Sequence, residues 1–455
     1  MDIKSNGKRM YDLIEELYPI CRSITGNGVR ETLEIIKKII PLEIHELSSN
    51  TEVFDWKIPK EWNIKDAYVK DPTGKKIIDF QKSNLHVLNY STPINTKLPL
   101  SKLKNHLFTL PNFPDEIPYL TSYYKENWGF CLSHNQFSQL DEGLYEVFID
   151  STLEDGSLTY GELFLPGKND DEVLLTTYIC HPSMCNDNLS GTSLLVYLAK
   201  KMLEKDLQYS YRFLFIPETI GAISWLSKNE KKLSKIKQGL VATCLGDIGK
   251  STYKKSKFGN ALIDKIVLNV LEKSSSPYNV IDFFPSGSDE RQFSSPGINL
   301  KIGSLMRTPY AQFDEYHTSA DNLSFIDSRC LNDSFEKYYQ IIMSLEKQNS
   351  LVEEFEEPNL GSFSNKDKDF EIDYSKKYIS LNPKCEPQLG KRGLYRMIGG
   401  QKDSDLDEMS IFWILCFSDG DYSLKYIANR SGIELGILEK TANLLCEKNL
   451  LKPAS

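Results

Sequence analysis

EVLLTTYICHPSMCNDNLSGTSLLVYLAKKMLEK, Glu172–Lys205, decides how the rest of the chain is read. It opens on an apolar run, EVLLTTYIC, which suits a strand buried on both faces. It closes on LSGTSLLVYLAKKMLEK, where apolar residues recur at helical spacing. Between the two, His181 and Asp187 stand six residues apart. A strand, a loop bearing ionisable groups and a helix make up the repeating unit of an α/β sheet, in which ligands gather beyond the carboxyl ends of the strands.

The same alternation runs outward from 172 to 347. YRFLFIP and GLVATCLGDI predict strands, followed by the helical ISWLSKNEKKLSKI and ALIDKIVLNVLEK. YNVIDFF and INLKIGSL predict two more strands, and SRCLNDSFEKYYQIIMSLEK a long closing helix. The fold class is therefore α/β, a sheet covered by helices on both faces. Upstream, LIEELYPI and ETLEIIKKII predict two helices separated by the turn signal TGNG, and LEIHEL predicts a strand. We assign residues 1–51 and 160–350 to this α/β domain. Residues 52–159 have a different texture: KIIDF, LHVLNY and LYEVFID are short alternating runs punctuated by turns such as DPTGK, which predicts an inserted β-rich domain. Residues 351–383 are acidic and polar and read as a linker. From 384 to 455 three helix-like runs, MSIFWILCFSD, SLKYIANRSG and ILEKTANLLCEKNLL, follow the helix-turn-helix pattern.

Composition narrows the function classes. The 455 residues carry a net charge of −9, which gives no global attraction to nucleic acid or anionic lipid. Nine cysteines are scattered without CxxC pairs, as in a chain with reduced thiols. Charges interrupt every apolar run well short of the roughly 20 residues a membrane helix needs, and MDIKSNGKRMYDLIEELYP has no apolar signal core. The expectation is a cytoplasmic protein that does not enter a membrane. Lys384–Ser455 holds ten Lys/Arg and ten Asp/Glu, and ELGILEKTANLLCEKNLL has three acids against two lysines. A grip on phosphates needs clustered cations, so the C-terminal module is expected to serve packing, homo-oligomerisation or a protein partner.

Acids and histidines recur at successive strand ends: His181 and Asp187 after EVLLTTYIC, Glu218 after YRFLFIP, Asp247 in GLVATCLGDI, and His317 in EYHTSADN. Such a convergence suits a hydrolytic zinc centre, where imidazole and carboxylate bind the ion, one position stays open, and a nearby acid moves a proton. NDNLSG is also a helix-capping turn in which Asn188 or Ser190 would cap. Cys180 and Cys185 flank His181 and could offer thiolates, although burial as small hydrophobes is the commoner use. The other four histidines, His45, His86, His106 and His134, stand in no such motif.

YICHPSMCNDNLSG, PETIGAISWL, GSDERQF and FDEYHTSADN together resemble the bacterial aminopeptidase-like family of the zinc aminopeptidase clan, often associated with polysaccharide-biosynthesis clusters. The resemblance covers nearly the whole chain. It implies an aminopeptidase-type domain with an inserted β domain and a C-terminal winged helix. It further implies metal ligation by His181, Asp187, Asp247 and His317, and Glu218 as the base that activates water. Arg307 and Tyr316 would hold substrate, and Asp289 would lie near the site. Where the clan has two consecutive acids this chain has Glu218-Thr219, and threonine is a poor zinc ligand. One tight zinc is therefore implied, with a second site in doubt. The expected activity is hydrolysis of an amide in a peptide or an amino-sugar-type compound. A metal-binding scaffold that has lost the activity is the rival reading, and a ligand-sensing transcriptional regulator a third.

Overall fold

A computed structural model describes residues 3–352, 376–395 and 406–454. Its centre is an eight-stranded mixed sheet. In chain order the strands are β1 (Glu43–Ser48), β2 (Ser157–Leu165), β3 (Glu172–Tyr178), β4 (Ser210–Ile216), β5 (Ile236–Ala242), β6 (Ser251–Lys254), β7 (Tyr278–Ile281) and β8 (Ile302–Met306). They lie side by side as β1-β2-β4-β3-β5-β8-β6-β7. β4, β3, β5 and β8 are mutually parallel, while β1, β2 and β6 join by antiparallel pairing. Every residue of β3 and of β4 is buried, as expected where helices cover both faces.

Alternate side chains of these strands point to opposite faces. Val173, Leu175, Phe213, Phe215 and Leu240 enter one core with α1 (Ile3–Leu17), α2 (Asn27–Lys37), α3 (Gly191–Met202), α5 (Leu262–Lys273) and α6 (Ser328–Leu345). Leu174, Leu214, Ile216, Val241 and Ile302 enter a second core with Ile223, Trp225 and Leu226 of α4 (Ile220–Asn229). Arg212 on β4 crosses between Glu162 of β2 and Glu172 of β3, all three buried. The charges compensate one another where each alone would be costly.

Between β1 and β2 the chain builds a separate four-stranded antiparallel sheet from Lys76–Asp79, Glu61–Lys70, Leu144–Glu154 and Ile94–Pro99, in that spatial order. Its core is Val69, Ile78, Leu103, Phe130, Val147 and Ile149 with their neighbours. Arg30 of α2 clamps this insert with both Nη groups on Glu61, at 2.7 and 2.6 Å.

The C-terminal part packs α7 (Leu406–Phe417), α8 (Leu424–Ser431) and α9 (Leu435–Glu447) beside a three-stranded sheet. One strand of that sheet, Lys377–Ser380, falls in the tract read as linker; it pairs with Asp419–Ser423 and Leu451–Pro453. Residues 353–375 of that tract lie outside the described residues. Phe283 of the α/β domain is buried in the same core as Phe412, Trp413 and Phe417, so the C-terminal module is packed against its neighbour. Among the described residues no helix is long and apolar enough to cross a membrane.

Candidate metal centre

Because β4, β3, β5 and β8 run in parallel, their carboxyl ends share one edge of the sheet. Past Tyr178 the chain passes through buried Ile179 and Cys180 to His181, itself buried. Arg22 donates from Nε to the His181 carbonyl at 3.0 Å. The following loop carries Asp187 and is held largely by side chains. The Asp321 carboxylate accepts from Asn186 N at 2.6 Å and Asp187 N at 2.9 Å. Asn188 accepts from Gly191 N at the start of α3, and its amide group donates to Thr177 and to the Ala242 carbonyl. Tyr178 donates from its hydroxyl to Asp187 Oδ1 and meets Thr243 Oγ1 at 2.7 Å.

His181, Asp187 and His317 come together, with one ligand-type atom from each lying within 4.8 Å of the others. Asp187 Oδ2 faces His317 Nε2 at 2.9 Å. Both of these facing atoms are shut off from solvent. Glu218 arrives from the end of β4, with Oε2 3.6 Å from His181 Nε2. Glu218, His181 and Cys180 form a second, overlapping group within the same limit.

Burial lowers His181 to about 4, so its imidazole is neutral at neutral pH with a lone pair to offer. Burial alone would raise Asp187, but His181 and His317 outweigh it and hold the carboxyl below its ordinary range. Burial drives Glu218 well up, and the neighbouring Asp289 and Asp187 push it further. Two imidazoles and an ionised carboxylate, with a second acid 3.6 Å from one imidazole, match the donor set of a zinc site with one open position.

The remaining expected residues are placed differently. Asp247 does not join the group. Its Oδ1 accepts from Gly249 N at 2.7 Å and Thr308 Oγ1 at 2.6 Å, and its Oδ2 from Asn186 Nδ2 at 3.0 Å and Thr308 N at 3.2 Å. Both oxygens are thus engaged in turning the chain and in steadying the Asp187 loop from behind. Arg307 is turned onto α6, where Nη1 meets Asp333 Oδ2 at 2.7 Å. Tyr316 stacks on the His317 ring at 3.9 Å between centroids and backs that residue. Asp289 accepts from Thr219 N at 2.7 Å, and Thr219 has φ 62° at the head of α4.

A cavity of about 540 Å³ opens over His181, Glu218 and His317. That size is typical of a small-molecule site. Its walls include Tyr119, Tyr123 and Tyr124 of the insert, Arg291, and Glu386, Leu389 and Tyr395 from the segment before α7. This last segment is fastened to Asp55, which accepts from Gln388 N at 2.8 Å, Lys391 Nζ at 2.8 Å and Arg392 Nη1 at 2.6 Å. Trp56 adds a bond from Nε1 to the Glu386 carbonyl at 2.6 Å. Tyr119, Tyr178, Asp321 and this outer wall were not read from sequence as parts of the site. Tyr178 and Asp321 stood in the quoted motifs, whereas nothing local marks Tyr119 or Asp55.

A family model described as a domain of unknown function, DUF4910, matches residues 11–348. The chain belongs to this family. A winged helix-turn-helix model matches residues 376–453 of this DUF4910 protein. A Clostridium acetobutylicum relative is 56% identical over 446 residues, covering 98% of this chain and 96% of its own; it is provisionally named a polysaccharide biosynthesis protein with aminopeptidase-like domain. The crystal structure of a provisionally assigned peptidase from Clostridium acetobutylicum is 54% identical, covers 99% of this chain and 97% of that one, and superposes with a TM-score of 0.75. A zinc aminopeptidase from Bacillus subtilis shares only 13% identity over 76% of this chain and 96% of its own, yet the TM-score is 0.56. The DUF4910 chain therefore has the aminopeptidase-type fold and, at family level, is aminopeptidase-like.

Proposed function

We propose that this DUF4910 chain is a zinc-dependent hydrolase of aminopeptidase type, cleaving an amide bond in a small peptide or amino-sugar-type compound. The carrying observation is the meeting of His181, Asp187 and His317 with Glu218 beneath one cavity. His181, Asp187 and His317 would hold the ion. When bound, zinc supplies Lewis acidity and an acidified water. Glu218, whose carboxyl is driven up by burial, takes a proton from water and returns it to the departing amine nitrogen. Tyr178 keeps the Asp187 carboxylate turned toward the imidazoles. The size of the cavity favours compact substrates. The provisional name of the Clostridium acetobutylicum relative supports including amino-sugar compounds among the candidates.

Elemental analysis after mild chelation and zinc re-addition tests the reading. About one zinc per chain is expected, lost in both Asp187→Ala and His317→Ala. Glu218→Gln should keep the zinc and lose hydrolysis of every responsive amide by a factor of roughly 100 or more, as for loss of a general base. Wild-type protein that retains no zinc would overturn the proposal. A scaffold reading is favoured by one observation: neither Thr219 nor Asp247 adds a ligand to the three residues that converge. Stoichiometric zinc with no amide hydrolysis that depends on Glu218 would support it.

A further inference from the structure

A metal-ligating imidazole is normally aimed by a hydrogen bond from its second ring nitrogen to a carboxylate, a carbonyl or water. His181 is arranged otherwise. Its Nδ1 reaches the Cys180 sulfur at 3.8 Å, a weak partner. What bounds the His181 ring is aromatic: Tyr119 stands edge-on to it at 5.1 Å and 67°, and Tyr178 at 5.1 Å and 60°. The Tyr119 ring also meets His317 edge-on, at 5.1 Å and 82°. One side chain therefore touches both imidazoles of the cluster, in the geometry aromatic pairs prefer.

Tyr119 belongs to neither the sheet nor its helices; it is carried by the inserted β domain. The insert is tied to the His317 loop through the backbone. Tyr119 N donates to the His317 carbonyl at 2.8 Å, Ser319 N to the Ile117 carbonyl at 2.9 Å, and Ile117 N to Ser319 Oγ at 2.9 Å. Pro118 and Thr318 form an antiparallel bridge between them. The Tyr119 ring is 3% exposed, and its hydroxyl pairs with that of Tyr123 at 3.1 Å, so it has little room to rotate. His317 itself sits at φ 54°, a left-handed backbone conformation uncommon for a residue other than glycine. A conformation of that kind persists where the surroundings over-determine it, and the 117–119 segment is one such surrounding.

We infer that Tyr119 is a positioning residue of the metal centre: its ring fixes the separation and tilt of His181 and His317, so the inserted domain is a working part of the site. The inference rests on the metal-binding reading above. It separates the two functions of the tyrosine, because the ring does the aiming and the hydroxyl only bonds Tyr123. Phenylalanine should then substitute for Tyr119, and a side chain of similar bulk without a flat ring should not.

The test loads the full chain with cobalt(II) and reads the visible d–d absorption and the affinity by competition with a chelator. Wild type and Tyr119→Phe are expected to share one spectrum and an affinity within about threefold. Tyr119→Leu and Tyr119→Ala should shift the spectrum and weaken cobalt by roughly 10–100-fold, the range for outer-shell partners of ligating histidines. Far-UV circular dichroism and thermal unfolding of the metal-free variants identify any that fail to fold, and Tyr119→Leu serves where Tyr119→Ala does. An unchanged spectrum and affinity in folded Tyr119→Leu would overturn the inference. Failure of the wild type to bind cobalt, or binding unaffected by His317→Ala, would instead overturn the metal reading beneath it.

Discussion

Tyr178 and Asp321 grip the Asp187 loop from two sides without belonging to the three-residue cluster. Tyr178 fixes one carboxylate oxygen and leaves Oδ2 for the cluster; Asp321 fixes the backbone on which the carboxylate is mounted. Losing the Tyr178 hydroxyl frees the carboxylate to rotate. Tyr178→Phe is therefore expected to lower zinc affinity by about tenfold, the low end for an outer-shell partner, and to lower the thermal midpoint of the metal-free protein as buried Asp187 and Thr243 lose a partner. Chelator competition and calorimetry on the same preparation check both halves. Asp247 teaches a related lesson. Its position at a strand end is visible in sequence, but which way its carboxylate turns depends on Thr308 and Asn186, each 61 residues away.

Elements meet through charges as well as through apolar faces. Glu61 of the insert takes both arms of Arg30 from α2 and a backbone bond from Ser157 N of β2 at 2.8 Å. The Arg30 hydrogen bonds hold its carboxyl at about 2, below the ordinary 4.5. A depressed carboxyl stabilises the folded state above its ordinary value and loses that contribution as pH falls toward the folded one. The gap in urea midpoint between wild type and Glu61→Gln should therefore be full at pH 6 and close between about 4.5 and 2. A gap that stays constant over that range would show that the pair is not the source. The β3–loop–α3 unit was legible because its apolar pattern changes from a continuous run to a helical period. β6 was missed because Ser251–Lys254 is four residues long and pairs antiparallel with β8, half a hundred residues on. The strand Lys377–Ser380 was hidden in a polar tract for the same reason: its partners are remote.

At the scale of the whole molecule, the cavity is assembled from the α/β domain, the insert and the segment before α7. Asp55 is the fastening between the last two. In Asp55→Ala, amide hydrogen exchange at Gln388 and its neighbours should accelerate by an order of magnitude or more, while β3 amides stay protected as part of the sheet core. Equal protection in the variant would mean the wall is held by other contacts. The meeting of His181 with His317 was legible in the strand-end motifs, but Tyr119 and Tyr395 are brought to them only by the completed topology. That separation has a consequence during synthesis. A chain emerges from the ribosome N-terminus first, so His181, Glu218 and His317 reach the cytosolic side of the exit tunnel well before Tyr395 does. The nascent protein passes through a stage at which one side of the pocket is still missing, and the cavity wall is completed only when translation is nearly over.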